Sequence, residues 1–142
     1  MKGVGMIILD TNVISEFARE HPDPRVCEWM ASQLFDDLYI SSISVAEMTV
    51  GVKLMPDGRK RRALEAFVTE VLLRFNGKVL PFDMNAGLRY ASVQYARRNV
   101  GRPIGVQDAQ IAAIARVHDG VVATRNIKDF EDTGVALVNP WK

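Results

Sequence analysis

MIILDTN, residues 6–12, sets an unbroken apolar, β-prone run directly before three polar residues. A short run with no polar interruption predicts a strand buried on both faces, the environment of a parallel sheet covered by helices. Asp10, Thr11 and Asn12 then stand at that strand's carboxyl end. An acid in such a place carries a desolvation cost unless it faces an open rim or a cation. Open parallel sheets bind ligands beyond the carboxyl ends of their strands, so Asp10 is the first candidate site residue.

Working outward, helical spacing takes over through Val13, Ile14 and Phe17. Asp23 followed by Pro24 reads as an N-cap with proline at the first helical position, predicting a helix over Arg25–Leu34 with Val26, Trp29 and Met30 inward. Leu38–Ile40 is the next strand. Ser44-Val-Ala-Glu47 has the spacing of a capping box, which opens a helix to Leu54 and makes Glu47 a first-turn residue. Pro56, Asp57 and Gly58 close that helix as turn residues. Arg59–Phe75 is a long amphipathic helix, Lys78–Leu80 a short strand, and Asp83 the cap of a helix reaching about Asn99.

After a loop of Gly101, Arg102, Pro103 and Gly105, apolar residues at Ile111, Ile114 and Val117 predict a helix from Val106 to Asp119 with Gly120 as its glycine cap. Asp108 falls in its first turn. Val121–Ala123 is another strand, with Thr124, Arg125 and Asn126 at its end, and Ala136–Val138 adds an edge strand. Strands alternating with long helices imply a three-layer α/β/α sandwich with a central parallel sheet, in which Asp10, Glu47, Asp108 and Asn126 share one rim.

The 142 residues suit a single domain, 1–142, with one core and one site. Hydrophobic residues at 48% and charged residues at 25% are the balance of a globular protein rather than a disordered one. Eighteen Lys and Arg against 17 Asp and Glu leave a net charge of +1, so any attraction to nucleic acid must come from local patches. Cys27 is the only cysteine, and His21 and His118 are far apart, which removes an internal disulfide and any zinc-ligand spacing. A reducing cytoplasm and an oxygen-ligated metal are expected. No stretch approaches the roughly 20 apolar residues of a membrane span. The amino terminus reads as a core strand rather than an export signal, and Met6 is an alternative start to Met1.

Three ionised carboxylates within about 4 Å of one another repel by roughly 4 kcal/mol per pair at an effective dielectric of 20. Asp10, Glu47 and Asp108 therefore require a cation between them, and hard oxygen ligands suit magnesium, with manganese as a substitute. Such a metal lowers the pKa of a bound water and neutralises charge on a phosphate, converting an acidic pocket into one that accepts a polyanion.

The set Ile-Leu-Asp-Thr-Asn (8–12), Ser-Val-Ala-Glu (44–47), Asp-Ala-Gln-Ile-Ala-Ala (108–113) and Ala-Thr-Arg-Asn (123–126) resembles the PIN domains, and within them the VapC and FitB toxins. The likeness runs from Met6 to Trp141, including an Asn-Pro-Trp ending at 139–141 similar to the FitB branch. It implies a magnesium-dependent endoribonuclease acting on transfer or ribosomal RNA in the cytoplasm, homodimeric and silenced by a small VapB/FitA-type antitoxin in a higher assembly. Asp10, Glu47 and Asp108 match the family's metal-binding acids, and Thr11, Asn12 and Thr124 the polar residues that orient them. The fourth acidic position falls on Asn126, an amide that ligates without charge, with Asp129 one helical turn on as a compensating acid.

Blander roles stand beside these. Glu47 serves equally as the capping partner of Ser44, and Asp108 as a favourable charge at a helix N-terminus. Arg59, Lys60, Arg61 and Arg62 read as a solvated helix face, whereas Arg97, Arg98 and Arg102 remain open as an RNA-tracking groove. Phe17, Trp29 and Phe67 read as core, with a dimer seam on the third or fourth helix as the alternative. Two rivals differ in class. A phosphatase of the haloacid dehalogenase type expects a second aspartate at position 12, where Asn12 stands, and a PIN fold kept only for binding would lack the acids that are present here.

Overall fold

Side chains of the first strand alternate: Ile7 and Leu9 point into one apolar cluster and Ile8 into another on the opposite face. This strand, β1 (Ile7–Leu9), is the centre of a five-stranded sheet in the computed structural model, which describes residues 5–142. Met1 to Val4 lie outside the described residues. The other strands are β2 (Leu38–Ser41), β3 (Val79–Leu80), β4 (Val121–Ala123) and β5 (Ala136–Val138). Their order is β3-β2-β1-β4-β5, and every pairing is parallel.

The first face is covered by α1 (Thr11–Glu16), α2 (Pro24–Ala31), α3 (Ser42–Leu54) and α4 (Arg59–Arg74), through Val13, Ile14, Val26, Met48, Val52, Val68 and Val71. The second is covered by α5 (Met84–Asn99), α6 (Val106–His118) and the short α7 (Ile127–Phe130), through Val93, Ile111, Ile114 and Phe130. The expected three-layer α/β/α arrangement is the one observed. Covering both faces is what allowed β1 to be apolar throughout. Among the described residues no helix is long and apolar enough to cross a membrane.

Four local expectations need correction. The cap of α3 is Ser41, whose hydroxyl accepts from the Ser44 N–H at 3.1 Å, so the helix starts two residues before Ser44. Glu47 is therefore in the second turn and is no capping partner. The α2 helix ends at Ala31 rather than Leu34, because Ser32 Oγ and Gln33 Nε2 both donate to the Trp29 carbonyl and a 3-10 turn follows at Phe35–Asp37. The left-handed cap of α6 is Asp119, with φ of 52°, and not Gly120. Gly120 is small for another reason: a Cβ there would stand 3.0 Å from Ile8 Cδ1 and 3.2 Å from the Met6 carbonyl oxygen, where the chain re-enters the sheet.

Arg97 and Arg102 also part from the sequence reading. Arg97 is only 4% exposed and donates to the carbonyls of Arg102 (2.5 Å), Asp129 (2.7 Å) and Glu131 (3.1 Å), tying α5 to the loop that follows it and to the C-terminal end of α7. Arg102 pairs with Glu131 and Asp132, each at 3.1 Å. Arg97 is thus spent on the fold, and Arg102, 38% exposed, is engaged with two acids.

Candidate active site

The parallel register sets Leu9 beside Ala123, so the residues that follow, Asp10 and Thr124, leave the sheet at the same level. The Asp10 N–H donates to the Ala123 carbonyl at 2.9 Å, extending the ladder by one bond, and the chain then turns into α1 with Asp10 as its N-cap. Its carboxylate is held from two sides. Oδ1 accepts from the Thr11 N–H at 2.8 Å, and Oδ2 from the Thr124 hydroxyl at 2.8 Å and from Asn12 Nδ2 at 3.3 Å. Thr124 is fully buried, and its hydroxyl also accepts the Asn126 N–H at 3.0 Å, so the ends of β1 and β4 are joined through one oxygen.

Thr11 makes the second link. Its hydroxyl donates to Glu47 Oε1 at 3.1 Å and lies 2.7 Å from Ser44 Oγ. A hydroxyl has one hydrogen, so with Thr11 donating to Glu47 it is Ser44 that donates to Thr11. Ser44 is fully buried and is a polar residue of the site that the sequence reading spent on a cap. The signal was available: Ser44 stands three residues before Glu47 and so shares its helical face. Asn12 spends its remaining oxygen on the Arg125 N–H at 3.3 Å, bracing the far loop.

Electrostatics place the other acids at the same rim. Burial pushes the Asp10 carboxyl above its usual range, against the hydrogen bonds from Thr124 and Thr11, and the charge of Asp129 adds to the rise. Burial raises Glu47 too, opposed by the Thr11 bond and assisted by Asp10. Asp108, in the first turn of α6, rises to about 6, through burial first and then the charges of Asp10, Asp129 and Glu47, with Arg97 pulling the other way. Asp108 thus feels the charges of Asp10, Asp129 and Glu47 together. Asn126 caps α7 by position without a side-chain bond, so the nearby negative charge at this edge is that of Asp129.

Among the described residues no three His, Cys, Asp or Glu side chains converge closely enough to hold an ion by themselves. Magnesium makes a weaker demand: it takes one or two carboxylates directly and keeps several of its waters. The donors here are all oxygen, repel one another and are partly shielded from solvent, which suits such an ion.

A model of the PIN domain matches residues 7–136 of the chain. The chain belongs to the PIN-domain family. Within it, this PIN domain falls among the VapC and FitB toxin ribonucleases. It is 42% identical to VapC ribonuclease Y4jK of Sinorhizobium fredii over 96% of this chain and 99% of that one. It is equally 42% identical to toxin FitB of Neisseria gonorrhoeae, over the same shares of the two chains. The structure of FitAB bound to an IR36 DNA fragment contains a chain that superimposes on this PIN domain with a TM-score of 0.91, at 42% identity and 96% coverage of each chain. PIN-domain ribonucleases of this type are typically metal-dependent.

Proposed function

We propose that this chain is the toxin of a toxin–antitoxin pair and a magnesium-dependent endoribonuclease, with transfer or ribosomal RNA in the cytoplasm as its target. The observation that carries this reading is Asp108, whose carboxyl is raised to about 6 by burial and then by the charges of Asp10, Asp129 and Glu47. Asp10, Glu47 and Asp108 are the metal-binding residues, with manganese as a substitute for magnesium. Asn126 contributes an amide oxygen and Asp129 the charge that Asn126 lacks. When bound, the metal supplies an activated water and neutralises charge on the scissile phosphate.

The protein's own residues do the positioning. Thr124 and Asn12 fix Asp10, and the relay Ser44–Thr11–Glu47 fixes one oxygen of Glu47 while the other stays available to accept a proton from the attacking water. The testing experiment is cleavage of a mixed transfer and ribosomal RNA pool by antitoxin-free protein with magnesium, with chelator, and as Asp10→Asn. Discrete cuts lost in both controls support the reading. Intact RNA under both magnesium and manganese, from protein shown to be folded, overturns it and favours a binding module.

The partner reading is supported by two surfaces. An apolar groove of about 490 Å³ between α1, α2 and α4 is lined by Phe17, Met30, Phe35, Phe67 and Val71 among others, a fit for the apolar face of an antitoxin helix. On α5, Met84, Leu88 and Tyr95 are 79%, 65% and 72% exposed at helical spacing, which favours α5 over α3 or α4 for a homodimer seam. Phe17, Trp29 and Phe67 pack against the core instead.

A further inference from the structure

A second cleft, of about 540 Å³, continues the rim on the side of α7 and is lined by Arg125, Asn126, Lys128, Asp129, Asn139 and Lys142. Asn126 and Asp129 border both spaces, so anything leaving the carboxylate rim in this direction enters the cleft. Unlike that rim it carries cationic side chains, Arg125, Lys128 and Lys142, beside the acids Asp129 and Glu131. Neither Arg125 nor Lys128 has a carboxylate within 4.0 Å among the described residues. Glu131 pairs with Arg102 at 3.1 Å and Asp23 with Arg25 at 2.7 Å, which leaves Asp129 as the unpaired acid of the lining among the described residues.

Arg125 is held ready rather than loose. Its backbone N–H is bound by Asn12, and its guanidinium carbon lies 5.1 Å from the centre of the Trp141 ring. Trp141 is 4% exposed, and its backbone N–H donates to Asn139 Oδ1 at 2.9 Å. A guanidinium held over an aromatic ring keeps its planar fork of N–H donors for other acceptors. No hydrogen bond from the Arg125 side chain to the protein is found among the described residues. Such a fork fits two oxygens of one phosphate, and its preset position lowers the entropy lost on binding.

We infer that this cleft is the subsite for the RNA backbone adjoining the scissile phosphate, with Arg125 as a fixed fork on one phosphodiester and Lys128 as a point charge on a neighbouring one. The inference rests on the nuclease reading above. It assigns the local positive patch that a chain of net charge +1 needs, and it assigns it to residues that read the backbone rather than the bases.

The test is steady-state cleavage of a single-stranded RNA oligonucleotide carrying a site cut by the wild-type protein, over a range of salt. Arg125→Ala and Lys128→Ala are compared with Arg59→Ala/Arg62→Ala on α4 as a control pair of equal charge loss. Each single variant raises KM roughly tenfold and about equally for RNAs of different sequence, with kcat within twofold, and lowers the salt slope of kcat/KM by about 0.7. Arg125→Lys recovers part of the loss, because it restores charge without the fork. The control pair leaves KM and slope unchanged. If the wild type cuts and the cleft variants keep its KM and salt slope, the subsite is overturned; so it is if they lose kcat at constant KM or match the control pair. If the wild type cuts no RNA, the nuclease reading itself fails, a result distinct from both.

Discussion

The Thr124 hydroxyl donates to Asp10 and accepts from the Asn126 backbone and from Asn12 Nδ2, joining the first and fourth strands at their ends. Thr124→Val keeps the shape and removes all three bonds. We expect a loss of about 1–3 kcal/mol in thermal unfolding and a fall of about 10–100-fold in cleavage at limiting magnesium, with Thr124→Ser recovering most of each. Asp108 gives the pH prediction. Its folded pKa of about 6 lies above the ordinary aspartate value of 3.8, so between these values the folded state holds more protons than the unfolded one. Stability of the metal-free protein then falls as pH rises through this window, whereas a depressed carboxylate would do the reverse. Melting without metal should drop by a few degrees from pH 5 to pH 7.5, and magnesium should reverse the drop. Because protons and metal compete for the same carboxylates, the apparent magnesium affinity should weaken below about pH 6.

At the scale of elements, the long helices and the apolar strand were legible because each carries a period or an unbroken run. Ser41 was not, since two serines three residues apart both satisfy a cap pattern and only the strand end at Ser41 decides between them. The four-residue α7 is too short to show any period, and it carries Asp129. Asp10 and Asp108 were readable from their place at element ends; the Ser44–Thr11–Glu47 relay was not, because it joins segments whose contact depends on how α3 packs on α1. Arg97 sits on α5 as one of two adjacent arginines, and nothing in the sequence separates the buried one from its neighbour. Arg97→Met would leave three carbonyls without their donor, costing about 3 kcal/mol or more in urea unfolding. Gly120→Ala should cost about 1–3 kcal/mol, since Ile8 and the Met6 carbonyl must move apart to admit a methyl group.

For the whole molecule, the surfaces divide the labour. The carboxylate rim lies at the carboxyl ends of the strands, the apolar groove flanks α1, α2 and α4, and the exposed α5 face looks elsewhere. Leu88→Glu, 65% exposed in the single chain, should convert a dimer to monomers in sedimentation while leaving the fold intact. Phe35→Asp should weaken capture of the antitoxin on the order of thirtyfold without changing magnesium-dependent cleavage by the free toxin. The parallel sheet also sets an order in time. Asp10 and the Thr124 that orients it are 114 positions apart, a gap that takes roughly six to twenty-three seconds to synthesise at ordinary rates. Every residue lining the apolar groove, from Leu9 to Phe75, has left the ribosome's catalytic centre well before Asp108 and Thr124 are made. During translation, the surface on which an inhibitor would settle is completed before the chain acquires anything to inhibit.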